Sequence, residues 1–308
     1  MATSAREITL RFLAAPTDAG YSGNVSGGRV LEWIDKAGYA CAVGWAGTYC
    51  VTAYVGNVRF SRPVRVGDLV EATAQLIHTG RSSMHIQVTV RSGYAQDRLL
   101  TEATNCLMIF VAMSPEGRST PVSPWQPITD EDRAQQASAQ RRIALRADIE
   151  TAMAAQRYTA DGTAPAVLLR FLAAPTDINW GGKVHGGIVM RWIDETAHVL
   201  ASRWTASTDN VAVYAGGVRF YQPLLIGHLV EVEARLLLTR ANSMHISVHV
   251  RSGAATSGEL ALTTHCLIVF APADSAHPVP LWDPVSAEDK ALEEHALHLI
   301  RLRARVAS

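Results

Sequence analysis

Between residues 84 and 90 apolar and polar side chains alternate: Met84, Ile86, Val88 and Val90 point one way, His85, Gln87 and Thr89 the other. A period of two predicts a strand with one face in a core. The alternation recurs with Met244, Ile246, Val248 and Val250. A different period governs Val30, Leu31, Ile34 and Ala37, and again Val189, Met190, Ile193 and Ala197. Their spacing predicts two mostly buried helices, each opening at a glycine pair, Gly27-Gly28 or Gly186-Gly187. Residues 104–113 have few polar positions and should form a strand inside the sheet. Arg62-Pro63 to Gly67-Asp68, and Gln222-Pro223 to Gly227-His228, read as turns. One apolar helix followed by several antiparallel strands predicts an α+β fold with the sheet wrapped round the helix.

The pattern is written twice. Residues 11–28 and 170–187 share 12 identities in 18 positions, including the string Arg-Phe-Leu-Ala-Ala-Pro-Thr-Asp, and Ser83-Met84-His85-Ile86 returns as Ser243-Met244-His245-Ile246. A unit of about 110 residues is too long for a solenoid repeat, so a whole domain is duplicated. The boundaries expected are a first domain over 1–128, a helical linker over 129–160, a second domain over 161–284 and a C-terminal helix over 285–308. In the linker and the C-terminal segment acidic residues come first (Asp130, Glu131, Asp132; Glu288, Asp289) and arginines later, which suits the helix dipole and predicts exposed, charged helices.

Composition narrows the function. With 28 basic and 28 acidic residues the net charge is zero, which argues against nucleic acid and against an anionic membrane as partners. No apolar run approaches the ~20 residues of a membrane span. Four cysteines without metal-type or disulfide-type spacing point to a reducing cytoplasm. His85, His245 and His249 fall on polar strand positions and read as surface residues; no metal motif, Gly-x-Ser-x-Gly elbow or phosphate-binding loop is present.

The ordered set Pro-Thr-Asp, Gly-Gly, Trp-Ile-Asp on a helix, Val-Arg-Phe-x-x-Pro, Gly-Asp-Leu-Val-Glu and Thr-Gly-Arg-Ser-Ser resembles the hot-dog acyl-CoA thioesterases. It is most similar to their tandem double-hot-dog form, of the brain cytosolic long-chain acyl-CoA hydrolase type. The resemblance implies two hot dogs paired within one chain through their central helices, and acyl-CoA hydrolysed to free acid and coenzyme A without metal or redox cofactor. It also implies further assembly, as a trimer of double hot dogs. In that family catalysis is assigned to an Asn before the first helix and an Asp on the second, which here are Asn24 and Asp194.

Thioester hydrolysis needs N–H donors aimed at the carbonyl oxygen and a base or nucleophile opposite. Helix N-termini at Gly28 and Gly187 offer donors, although glycine there equally relieves crowding. Gly28 and Asp35 lie roughly 10 Å apart along one helix, so each glycine should be served by the other copy's aspartate: Asn24 and Gly28 with Asp194, and Lys183, His185 and Gly187 with Asp35. Lys183 is expected to hold Asp35 in an ion pair, leaving Asp194 as the working carboxylate, whether it activates water or attacks directly. The Ser-Gly-Gly at residues 26–28, where the second copy has His-Gly-Gly, departs from the family pattern. Arg81, Ser82 and Ser83 in one hairpin, and Arg240, Asn242 and Ser243 in its repeat, are the candidate coenzyme A contacts. The alternatives are a non-catalytic acyl-CoA sensor, usually joined to a DNA-binding segment for which the few residues before the first copy leave no room, and a hot-dog enoyl-CoA hydratase, whose Asp-x-Asn-Pro-x-His signature is missing.

Overall fold

The alternating run at 84–90 lies within a longer strand whose four apolar residues are all buried. The computed structural model describes residues 6–97, 99–156, 158–159, 161–274 and 277–307. The first copy comprises β1 (Glu7–Leu13), α1 (Gly27–Ala46), β2 (Cys50–Val55), β3 (Val58–Arg59), β4 (Asp68–Thr79), β5 (Ser83–Tyr94) and β6 (Thr101–Ala112). After α2 (Asp130–Ala154) the second copy follows: β7 (Ala166–Leu172), α3 (Gly186–Thr205), β8 (Asn210–Phe220), β9 (His228–Arg240), β10 (Ser243–Ala254) and β11 (Ala261–Pro272). The last helix is α4 (Ala287–Ala307).

Both copies share one antiparallel sheet in the order β1-β4-β5-β6-β2-β8-β11-β10-β9-β7, with β3 paired to β8. The seam is the β2–β8 pair, where Tyr54 faces Arg219 and Val55 faces Val218. β6, the strand with few polar positions, lies between β5 and β2. The open edges are β1 and β7.

Local chemistry sets the central helices. Ser26 caps α1 by accepting the Arg29 N–H, and the chain leaves it through Gly47 in the left-handed region, where glycine carries no Cβ penalty. His185 caps α3, its ring accepting the Gly187 N–H. The two helices pack antiparallel over their N-terminal halves. A Cβ on Gly28 would stand 2.9 Å from the Arg191 Cα, and one on Gly187 only 2.7 Å from the Glu32 Cα. The glycines therefore admit the opposite backbone to a distance that any side chain would forbid. Glu32, buried between the helices, takes Arg29 at 2.8 Å, Lys36 at 2.7 Å and Arg191 of α3 at 3.6 Å. Several partners offset the cost of burying its charge.

Two expectations need correction. α2 and α4 are not freely exposed: they lie on the outer face of the sheet, where Leu292, Ala296 and Leu299 of α4 and Ile149 and Met153 of α2 pack with Leu237, Leu238 and Leu267. Both carry enough apolar residues to cover strand positions that would otherwise meet water. For the same reason His85, His245 and His249 are buried, and burial pushes their imidazoles down to about 3, 4 and 3.

Candidate active site

The antiparallel crossing of α1 and α3 brings the start of each helix against an aspartate of the other. Two pseudo-equivalent carboxylate sites result, and the side chains around them differ.

At the first, the Gly187 N–H donates to Asp35 Oδ2 at 2.8 Å and the Thr52 hydroxyl donates to Oδ1 at 2.7 Å. His185 Nδ1 lies 2.9 Å from Oδ2. Burial disfavours a charged His185 ring, but the hydrogen bond and charge of Asp35 outweigh it and hold the imidazole above its ordinary pKa. Nε2 of the same ring is buried without a partner. In the imidazolium that Asp35 favours, Nδ1–H faces the carboxylate and Nε2 carries the second hydrogen, so the ring presents a donor there. A cavity of about 290 Å³ opens here, with Asp35, Thr52, Tyr49, Asn179, Lys183 and His185 in its wall. Asn179 is positioned by its loop: its Oδ1 accepts the N–H groups of Gly181 and Lys183, and its Nδ2 donates to the Tyr49 hydroxyl at 3.2 Å.

At the second, Asp194 receives the Gly28 N–H, while Oδ1 has no partner. Burial is the main cause of a carboxyl pushed up to about 7, with Glu195 adding to it. The position matching Thr52 is Ala212, whose methyl lies against Gly27, and Ser26 replaces the imidazole. The cavity is larger, about 490 Å³, and includes Asn24, Asp194, Tyr21 and His198.

The geometry brings together Gly187, His185 and Asp35, and separately Gly28, Asp194 and the loop of Asn24. It corrects one expectation: Lys183 makes no ion pair with Asp35, whose oxygens are taken by Thr52, Gly187 and His185. The glycine N–H groups also differ from their expected use, because each is already donated to an aspartate. The Arg81–Ser83 and Arg240–Ser243 hairpins do not wall either cavity. Ser83 pairs with Val111 and Val111 with Val51, a wall residue of the Asp35 cavity, so two strand spacings of ~4.8 Å separate them. By the equivalent ladder Met244 to Phe270 to Ala212, the Arg240 hairpin stands beside the Asp194 cavity.

Thr52 and Asn179 were missed from the sequence. Asn179 had a signal, since it stands in Asp177-Ile178-Asn179 where the first copy has Asp18-Ala19-Gly20. Thr52 had none, because its role follows only from the packing of β2 against α1.

A profile of the Thioesterase superfamily matches residues 22–95 and 181–258. The chain is 33% identical over 119 residues to the acyl-CoA thioester hydrolase YciA of Salmonella typhimurium, covering 38% of this chain and 90% of that protein. It is 26% identical over 256 residues to the human cytosolic acyl coenzyme A thioester hydrolase, covering 76% and 66%. In structure it resembles a putative oleoyl thioesterase from Lactobacillus plantarum at a TM-score of 0.60 with 12% identity, over 89% of this chain and 98% of the other, a likeness of fold.

The raised carboxyl of Asp194 carries a stability prediction. Its folded-state pKa of about 7 lies above the unfolded value near 3.8. Stability is therefore fully present below pH 3.8 and is lost as pH rises through 7. Asp194→Asn, which cannot ionise, should stabilise the protein by about 1–3 kcal/mol at pH 8 and should gain much less at pH 5. Thermal melts at the two pH values check this; an equal shift at both contradicts it.

Proposed function

The chain belongs to the thioesterase superfamily and hydrolyses acyl-CoA to a free acid and coenzyme A, and from that premise we propose that the cavity around Asp35 carries the turnover. The observation behind this is the set of fixed groups there: a carboxylate positioned by Thr52 and Gly187, with the unpartnered Nε2 of His185 beside it. A thioester carbonyl in this cavity meets the His185 Nε2–H, which stabilises negative charge as it develops on the carbonyl oxygen. Water is the nucleophile: Asp35 accepts its proton, the new C–O bond forms, the C–S bond breaks, and the proton passes to the departing thiolate of coenzyme A. Both oxygens of Asp35 hold hydrogen bonds, which favours this role over direct attack to form an anhydride. The step needs neither metal nor redox group.

One observation favours a second reading, in which Asn24 and Asp194 do the work. A carboxyl with a free oxygen and a pKa of about 7 is well matched to general-base catalysis near neutrality. Against it, Ala212 and Ser26 supply neither the hydroxyl nor the imidazole.

For coenzyme A, Arg81, Ser82 and Ser83 are the proposed contacts of the Asp35 cavity, and Arg240, Asn242 and Ser243 those of the other. Assembly as a trimer of double hot dogs is proposed as well: β1 and β7 are open edges, and β7 exposes Leu168, Leu169 and Leu172. All four cysteines are free and buried, which suits a reducing compartment, and the cytoplasm is the proposed location.

Asp35→Asn keeps the size of the side chain but removes the base, and should lower kcat by ~10²-fold or more, while Asp194→Asn should stay within about 3-fold of the parent. Steady-state kinetics of both variants, with folding checked by circular dichroism, separate the two readings; the reverse pattern assigns turnover to Asp194. In the same assay Arg81→Ala should raise KM with little change in kcat, since a phosphate contact far from the carbonyl is alike in ground and transition states. An unchanged KM removes the hairpin from the coenzyme A site. Light scattering should give about three times the 33.3 kDa of one chain; a monomer mass at micromolar concentration contradicts the trimer.

A further inference from the structure

On the outer face of the sheet α2 leaves a cavity of about 400 Å³ over the first copy, which shares Ser61 with the wall of the Asp194 cavity and none of its wall with that of Asp35. The second copy shows what a filled face looks like. There the leucines of α4 close onto Leu237, Leu238 and Leu267, whereas over the first copy, among the described residues, it is Ala139 of α2 that joins the Ile77–Leu107 pair. Further along the helix α2 presents Arg142, Ile143 and Arg146 to the opening.

Its wall is cationic at one side and apolar at the other. Arg59, Arg142, Arg146 and Arg303 contribute to it and, among the described residues, no carboxylate does. Arg146 is paired with Glu150 at 3.3 Å. Arg303 is different: it is only 7% exposed, and its Nε and Nη2 are buried without a hydrogen-bond partner. The guanidinium lies over the face of Tyr214, 5.1 Å away. A ring face offsets part of the cost of burying a cation, but leaves planar N–H donors unused. Leu107, Ile109, Ile143 and Ile149 supply the apolar side. A volume of this size lies within the roughly 300–1,000 Å³ of small-molecule sites.

We infer that this cavity is a second ligand site, distinct from the catalytic ones, for a small oxyanion with an apolar body, its carboxylate or phosphate accepting from Arg303 and Arg142. Guanidinium suits such a ligand because its fork matches two oxygens of one anion. Two sources share this chemistry, a fatty carboxylate and a phosphorylated metabolite. The inference does not depend on which aspartate carries turnover.

The test is isothermal titration of the full chain with octanoate, inorganic phosphate and coenzyme A as separate probes. Arg303→Gln and the half-buried Arg142→Gln are the variants; if the first fails to fold, the second carries the test. Saturable binding of at least one probe, weakened about tenfold or more in the variants while kcat is unchanged, supports the site. Octanoate alone would identify a carboxylate ligand, and phosphate with coenzyme A a phosphorylated one. No saturable binding of any probe up to about 10 mM, or equal binding by parent and variants, overturns it. So does a fall in assembly mass in the variants without loss of binding, which would assign the arginines to an interface between copies.

Discussion

Everything in the functional region depends on how closely α1 and α3 approach. The two helices meet where each begins, and they come together because Gly28 and Gly187 have no side chain to hold the opposite backbone away. That contact does three things at once. It buries the apolar faces of both helices in a shared core, it turns the N–H of each glycine onto the other copy's aspartate, and it opens a cavity at each end of the pair. A single hot dog has neither complete site, since the aspartate and its glycine lie on different copies. Placing both copies in one chain fixes the pairing and allows the two sites to diverge.

Divergence is visible in the partners of the two aspartates. Asp35 retains a threonine hydroxyl, an imidazole and a backbone N–H, so its charge is met on both oxygens. Asp194 has one backbone N–H and a buried oxygen with nothing to accept, and its carboxyl rises toward neutrality. A carboxylic acid held this way costs stability at and above neutral pH, a cost that the proposed assignment of turnover to Asp35 places on the duplicated site. The outer face has diverged too. Around the second copy α4 closes the sheet with leucines, while over the first α2 leaves a cavity lined by arginines.

Much of the fold was legible in the sequence because periodicity reports burial directly. Met84, Ile86, Val88 and Val90, and the apolar stripe of α1, alternate or repeat as the core requires, and the duplicated Pro-Thr-Asp and Gly-Gly strings align the two copies residue by residue. Two things were not legible. Strand patterns describe a face as polar without saying whether a helix will cover it, so His85, His245 and His249 read as solvent-exposed although α2 and α4 lie over that face. And the partners of Asp35 come from three separate stretches: Thr52 on β2, Gly187 at the start of α3 and His185 before it. From charge alone Lys183 was the natural partner, but an imidazole at 2.9 Å and two hydrogen-bond donors occupy the carboxylate instead.

The central claim is that the close approach at Gly187 assembles the working site from both copies. Turnover of Gly187→Ala tests it most directly, because the added methyl must displace the backbone at Glu32, 2.7 Å away, one helical turn from Asp35. Measured at a temperature where circular dichroism shows the variant folded, kcat should fall ~10²-fold or more. Parental turnover in a folded Gly187→Ala protein would contradict the account.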